Sequence, residues 1–300
     1  MTRFTRLLPA AIACALVAGH AVAAEPTGTL KKIKDSGVIV LGHRDSAIPF
    51  AYLAGGREPV GYSIDLAQNI VAAVKKELNM PNLQVRYNMV TGQTRIPLLQ
   101  NGTIDIECGA TTNNVERQRQ VDFSVGIFEI GTRLMVKKDS GIKDFADLKG
   151  KNVVVSAGTT GERLMRAMNA RDKLGMNIVA AKDNGESFLM LESGRAAAFM
   201  TDDAMLYGER AKARKPADWV VVGKPQSAEV YGCMVRKGDA PFKQVVDQAI
   251  VATYKSGQIN KIYDKWFMKP VPPKNLNLNF PMSPEVKALI AKPTDKPAAS

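Results

Sequence analysis

Thr112 and Arg117 stand five positions apart, just after the strand-like run Ile104–Cys108 and across the opening of a polar helix. The hydroxyl of one can fix a single carboxylate oxygen, and the planar guanidinium of the other can take both. Two more arginines share this setting. Arg44 follows the apolar run Val38–Gly42, and Arg95 opens a short helical segment closed by Gly102. In open α/β sheets such strand ends border the ligand crevice. Asp202 ends another apolar run, so one anion stands where the cleft is expected. Three arginines with a lone aspartate opposite them suit a doubly anionic guest carrying one ammonium. Read singly, each arginine is first a surface residue, the commoner fate of its type.

The elements that must position these residues follow an α/β pattern. Val38–Gly42 is rich in β-branched residues and reads as a buried strand. Leu66, Ile70, Val74 and Leu78 recur at helical spacing, with Ser63 as the candidate cap. Leu83 to Val90 and Ile104 to Cys108 read as further strands. After a strand at Thr132 to Lys137 the pattern restarts. Asn152 to Ser156 is a strand, and Ala157-Gly158-Thr159-Thr160 leads into a helix from Glu162 to Asn169. A helix spans Ser187 to Ser193, a strand Ala196 to Met200, and a helix Ala204 to Ala213 with Asp203 as cap. Strands at Trp219 to Val222 and Tyr231 to Arg236 precede two amphipathic helices.

The ends and composition limit the setting. Arg3 and Arg6 precede an apolar stretch, and Val22-Ala23-Ala24 offers small residues for cleavage. Residues 1–24 therefore read as a secretory signal peptide, and the periplasm is the expected location. Cys14 falls within it. The remaining Cys108 and Cys233, in an exported chain, read first as a disulfide, with two buried thiols as the alternative. Losing Arg3 and Arg6 lowers the formal charge from +12 to +10. The basic residues are interleaved with acids and lack the aromatic pattern that single-strand binding needs, so no nucleic-acid partner is expected. After the leader, His43 is the one histidine. That argues against a His-rich metal site and a Ser-His-Asp triad, and no cofactor-binding motif appears.

Three stretches carry a resemblance: Val40-Leu41-Gly42-His43-Arg44, the run Arg95 to Gly102, and the run Cys108 to Arg117. Together they are similar to the periplasmic amino-acid-binding proteins of ABC importers, solute-binding protein family 3, in the glutamate/aspartate branch. The resemblance spans nearly the whole mature chain. It implies a two-lobe, type II periplasmic binding fold, each lobe a mixed, mostly parallel sheet flanked by helices, joined by a two-strand hinge. The expected lobes are 25–128 with 229–270, and 129–228, with 271–300 as a tail on the surface. It also implies a monomer that closes on its ligand and delivers it to a membrane permease, and no enzyme activity.

The resemblance assigns roles as well. Thr112, Arg117 and the N–H at Thr160 would hold the α-carboxylate. Asp202 would pair with the ammonium, with the Ala110 carbonyl as a second acceptor. Arg44 and Arg95 would hold the distal carboxylate. The chain departs from the branch at three positions: Gly92 and Ala110 where it usually has Ser, and Asn184 where it has His. Truncated walls suggest more room, hence glutamate over aspartate. Rivals are the same fold for glutamine or another dicarboxylate, a dehydratase-type enzyme, and a structural exported protein. The enzyme needs an acid or base in the cleft, but Glu107 and His43 are expected to face away.

Overall fold

The computed structural model describes residues 25–297; the expected signal peptide and the last three tail residues lie outside the described residues. Two five-stranded sheets dominate. In spatial order, the first runs Gln84–Met89, Val38–His43, Ile106–Glu107, Met234–Arg236, Val121–Phe123. The second runs Asn177–Ala181, Asn152–Ser156, Ala198–Asp202, Thr132–Lys137, Trp219–Val222. Each is mixed. Three strands of each pair in parallel, and the strand that enters from the crossing, Met234–Arg236 in the first sheet and Thr132–Lys137 in the second, pairs antiparallel with both its neighbours.

The central strands of the second sheet show why they read as continuous apolar runs. Val153 and Val155 enter one core with Leu134, Val136 and Met200, while Val154 enters another with Met135 and Phe199. Successive side chains point to opposite faces, and both faces are covered by helices, so no position wants a polar residue. The chain passes between the sheets through two antiparallel strands, Phe128–Ile130 and Glu229–Tyr231. Phe128 and Tyr231 pack there with Phe50, Tyr62 and Phe267 into an aromatic cluster beneath the crossing.

Several elements differ from expectation. The helix Tyr62–Glu77 starts at Gly61, not Ser63. Gly61 has φ of 140° and lies against the Phe50 carbonyl, a position closed to a side chain. The Ser63 hydroxyl instead donates to the Gly109 carbonyl at 2.8 Å, tying this helix to the loop that follows Cys108. The helix after Ala198–Asp202 begins at Asp203 itself, with Asp202 in the cap position. The run expected as one strand from Tyr231 to Arg236 breaks at Gly232-Cys233, because its halves belong to different sheets. Several elements went unread, among them the first helix, Gly28–Ser36, the strands Ala51–Leu53 and Val121–Phe123, the partly buried edge strand Asn177–Ala181, and the tail helix Pro284–Ala291. Cys108 and Cys233 are bonded, closing a separation of 125 residues between the first sheet and the second crossing.

Candidate functional site

Seven of the eight expected site residues line one small cavity between the sheets: Arg44, Arg95, Ala110, Thr112, Thr160, Asn184 and Asp202.

On the first-sheet side, Arg44 follows the strand Val38–His43 and is 2 % exposed. Its Nε and Nη2 have no hydrogen-bond partner among the described residues. Arg95 starts the helix Arg95–Gln100 and is 1 % exposed. Its Nη1 donates to the Thr111 hydroxyl and, at 3.3 Å, to the Ala110 carbonyl; its Nε has no partner among the described residues. The Thr111 hydroxyl in turn donates to Glu107 Oε2 at 2.7 Å. Glu107 thus stands behind Arg95 as its counter-charge and, as expected, does not line the cavity. Burial, then the neighbouring Arg117, lowers the proton affinity of Arg95; Glu107 opposes that and Arg44 adds to it. Buried donors without acceptors are costly, and like charges repel, so this wall gains from an anion.

Arg117 is the expected residue that does not line the cavity. It lies in the helix Val115–Gln118, capped by Asn114, whose side chain accepts from the Arg117 N–H. Its guanidinium donates to the Thr112 carbonyl at 2.9 Å and to the Gly158 carbonyl at 3.3 Å, so it joins the two sides of the cleft. Burial lowers its proton affinity, and Glu229, Glu107 and Asp202 oppose that.

The second-sheet side is built from strand ends and helix starts. Thr159 caps the helix Thr160–Arg171: its hydroxyl accepts from the Glu162 N–H and donates to the Ser156 carbonyl. Thr159, Thr160 and Gly161 line the cavity, presenting the positive end of a helix. Asn184 opens the next helix. Its Oδ1 accepts from the Ser156 hydroxyl at 2.6 Å, and its Nδ2 lies 3.2 Å from Met205 Sδ. Asp202 ends the strand Ala198–Asp202 and accepts a hydrogen bond from the Tyr231 hydroxyl. Burial pushes its carboxyl up to about 8, with Glu229 adding to the rise and Tyr231 and Arg117 opposing it.

Two features of closure were not anticipated. A Cβ at Gly92 would stand 2.4 Å from the Ala157 carbonyl oxygen. Gly158, at φ of 72°, would meet the Gly92 backbone at 2.7 Å. The missing side chain at Gly92 therefore leaves no extra room, which removes that ground for preferring glutamate: the opposite loop fills the space. An ion pair between Glu116 and Arg163 also spans the cleft. Sequence reading missed Thr201, Met205 and Tyr231 as well; the first is flagged by its place beside Asp202, the others by nothing local. His43 is turned aside, its Nδ1 2.9 Å from the Arg44 carbonyl oxygen and its ring edge-on to Tyr87.

Comparison with known proteins places the chain in a family. The profile of the bacterial extracellular solute-binding proteins, family 3, matches residues 39–269. The chain is 70 % identical over 295 residues to the L-glutamate/L-aspartate-binding protein of Pseudomonas aeruginosa, covering 97 % of each. It is 55 % identical over 292 residues to the glutamate/aspartate import solute-binding protein of Escherichia coli, again covering 97 % of each. Among solved structures it is similar to an ancestral amino-acid-binding protein, a precursor of cyclohexadienyl dehydratase. There the TM-score is 0.67 and the identity 31 %, covering 80 % of this chain and 99 % of the other.

Proposed function

The chain belongs to the bacterial extracellular solute-binding proteins of family 3, and from that premise we propose that it captures an acidic amino acid, L-glutamate or L-aspartate, for an ABC importer. It works in the periplasm, as a monomer without a cofactor, and hands its ligand to a membrane permease without transforming it. One lobe comprises 25–128 with 229–270 and the other 129–228, with the tail from 271 packed on the surface.

The observation that carries this reading is the pair of buried arginines, Arg44 and Arg95, with unpartnered N–H groups in a cavity that also holds Asp202. The distal carboxylate lies between Arg44 and Arg95. The α-carboxylate meets Thr112, the helix start at Thr160, and Arg117, whose fork turns in from its two carbonyl acceptors. The ammonium meets Asp202 and the Ala110 carbonyl, and Asn184 borders the side chain. Ligand binding neutralises the repulsion among the arginines, bridges the two walls and so favours the closed form.

Titration calorimetry with L-glutamate, L-aspartate, L-glutamine and succinate tests the reading. An acidic amino acid should bind with a dissociation constant near micromolar, about −8 kcal/mol. Succinate, lacking the ammonium, should bind at least tenfold more weakly, about 1.4 kcal/mol. Glutamine binding more tightly than glutamate would overturn the roles of Arg44 and Arg95.

A further inference from the structure

We propose that Tyr231 is a positioning residue for capture: its phenol aims the Asp202 carboxylate at the ligand ammonium and ties that contact to the strand that crosses between the lobes. The proposal rests on the acidic-amino-acid reading above and extends it to a residue outside the cavity wall.

Tyr231 is wholly buried and ends the crossing strand Glu229–Tyr231. Its hydroxyl donates to Asp202 Oδ2. Its ring is fixed by Phe50, with centroids 5.1 Å apart and planes at 78°, and by Phe128, 6.3 Å away with planes at 28°. A ring so held cannot swing its hydroxyl away from the carboxylate. The backbone around it is held just as firmly. Tyr231 forms a bridge with Thr112, the Asn113 N–H donates to the Val230 carbonyl at 2.7 Å, and the Gly232 N–H donates to the Thr111 carbonyl at 3.1 Å. One residue thus joins the loop that meets the α-carboxylate to the aspartate that meets the ammonium. Those are the two groups common to every amino acid.

Charge explains why a neutral donor is needed there. Glu229 and Asp203 face Asp202 as like charges, and Arg117 is the cation that opposes them. Only an ionised Asp202 pairs well with an ammonium. The Tyr231 hydroxyl favours that ionised form without adding a charge that would compete with the ligand.

Tyr231→Phe keeps the ring and its packing and removes the donor. Its affinity for L-glutamate, measured by calorimetry from pH 7 to 9.5 beside the wild type, should be about tenfold lower at pH 7, the scale of a lost hydrogen bond to a charged group. The ratio between the two proteins should narrow as pH rises past 8, because the wild type's Asp202 ionises near there and the variant's, without the phenol donor, follows at higher pH. A loss independent of pH marks a merely structural role and overturns the proposal, as does an unchanged affinity at pH 7. A wild type that does not bind glutamate overturns the acidic-amino-acid reading instead.

Discussion

The two walls of the cleft are finished to different degrees. On the second-sheet side the polar groups already satisfy one another: Ser156 donates to Asn184 and lies 3.1 Å from Ser187, Thr159 donates to the Ser156 carbonyl, and Asn184 reaches Met205. On the first-sheet side Arg44 Nε and Nη2 and Arg95 Nε have no such partners among the described residues. Apart from Asp202, one wall consists of dipoles at rest; the other carries two guanidinium charges, of which Arg95 is held by the relay from Glu107 through Thr111. An anion changes the energy of the second kind far more than that of the first, since unmet charges in a dry site are the expensive ones. Affinity should therefore come mostly from the arginine wall, while the opposite wall governs fit and closure.

The sharpest way to break this comparison is Arg95→Met. The substitution removes a buried guanidinium that offers charged donors to the ligand, each such hydrogen bond contributing about 1.5–3 kcal/mol. Calorimetry should show glutamate affinity reduced by more than a hundredfold. A loss no greater than that of a substitution on the opposite wall would erase the distinction between them.

Closure is tested next by Gly92→Ala. The added Cβ meets a backbone oxygen that belongs to the other side of the cleft, so the clash exists only when the cleft is shut. Overpacking of this kind costs about 1–3 kcal/mol. Affinity should fall by roughly five- to a hundredfold at that cost. The unliganded melting temperature should stay unchanged and small-angle scattering should show a more open liganded form. A lowered melting temperature without ligand would place the clash in the fold itself.

These two residues also mark what the sequence could and could not disclose. Arg95, Arg44 and Asp202 were legible because apolar runs locate strand ends, and strand ends in an α/β sheet converge on one crevice. Gly92 was legible only as a missing hydroxyl. Its true neighbour, the Ala157 carbonyl, lies 65 residues away in the chain and is brought there by closure. Tyr231 was hidden for the same reason: nothing near it in sequence announces Asp202. The strand Asn177–Ala181 was itself legible, since Ile178-Val179-Ala180-Ala181 is an apolar run with β-branched residues, short and only partly buried because it lies at the sheet's edge. Local pattern thus predicts which residues reach the cleft, whereas the partners they find there depend on how the two sheets meet.

Asp202 sharpens the comparison through pH, since among the described residues lining the quieter wall it is the ionisable one. Its carboxyl lies near 8 in the folded protein, well above the ordinary value of 3.8. The folded state therefore holds a proton that the unfolded chain releases, and between about pH 4 and 8 this group's contribution to stability falls as pH rises. Binding an ammonium needs the ionised form, so affinity for glutamate should rise across the upper part of that window, by at most about tenfold per pH unit. Calorimetry in buffers of different ionisation enthalpy should register proton release on binding near neutral pH. Uptake of a proton would reverse the sign of the argument and remove Asp202 as the ammonium partner.

The smallest effect belongs to Asn184→Ala. This side chain is buried and opens a helix, and it looks as important as any arginine. Its loss, however, leaves few groups stranded. The Ser156 hydroxyl keeps Ser187 as a partner, and Met205 sulfur is a weak acceptor that loses little. The net cost of a neutral hydrogen bond, about 0.5–1.5 kcal/mol, then bounds the change in both stability and affinity. Chemical denaturation and calorimetry should each show a loss within that range, with glutamate and aspartate weakened alike. A loss approaching that of Arg95→Met would mean that Asn184 meets the ligand as a principal donor, and that the two walls share the work evenly after all.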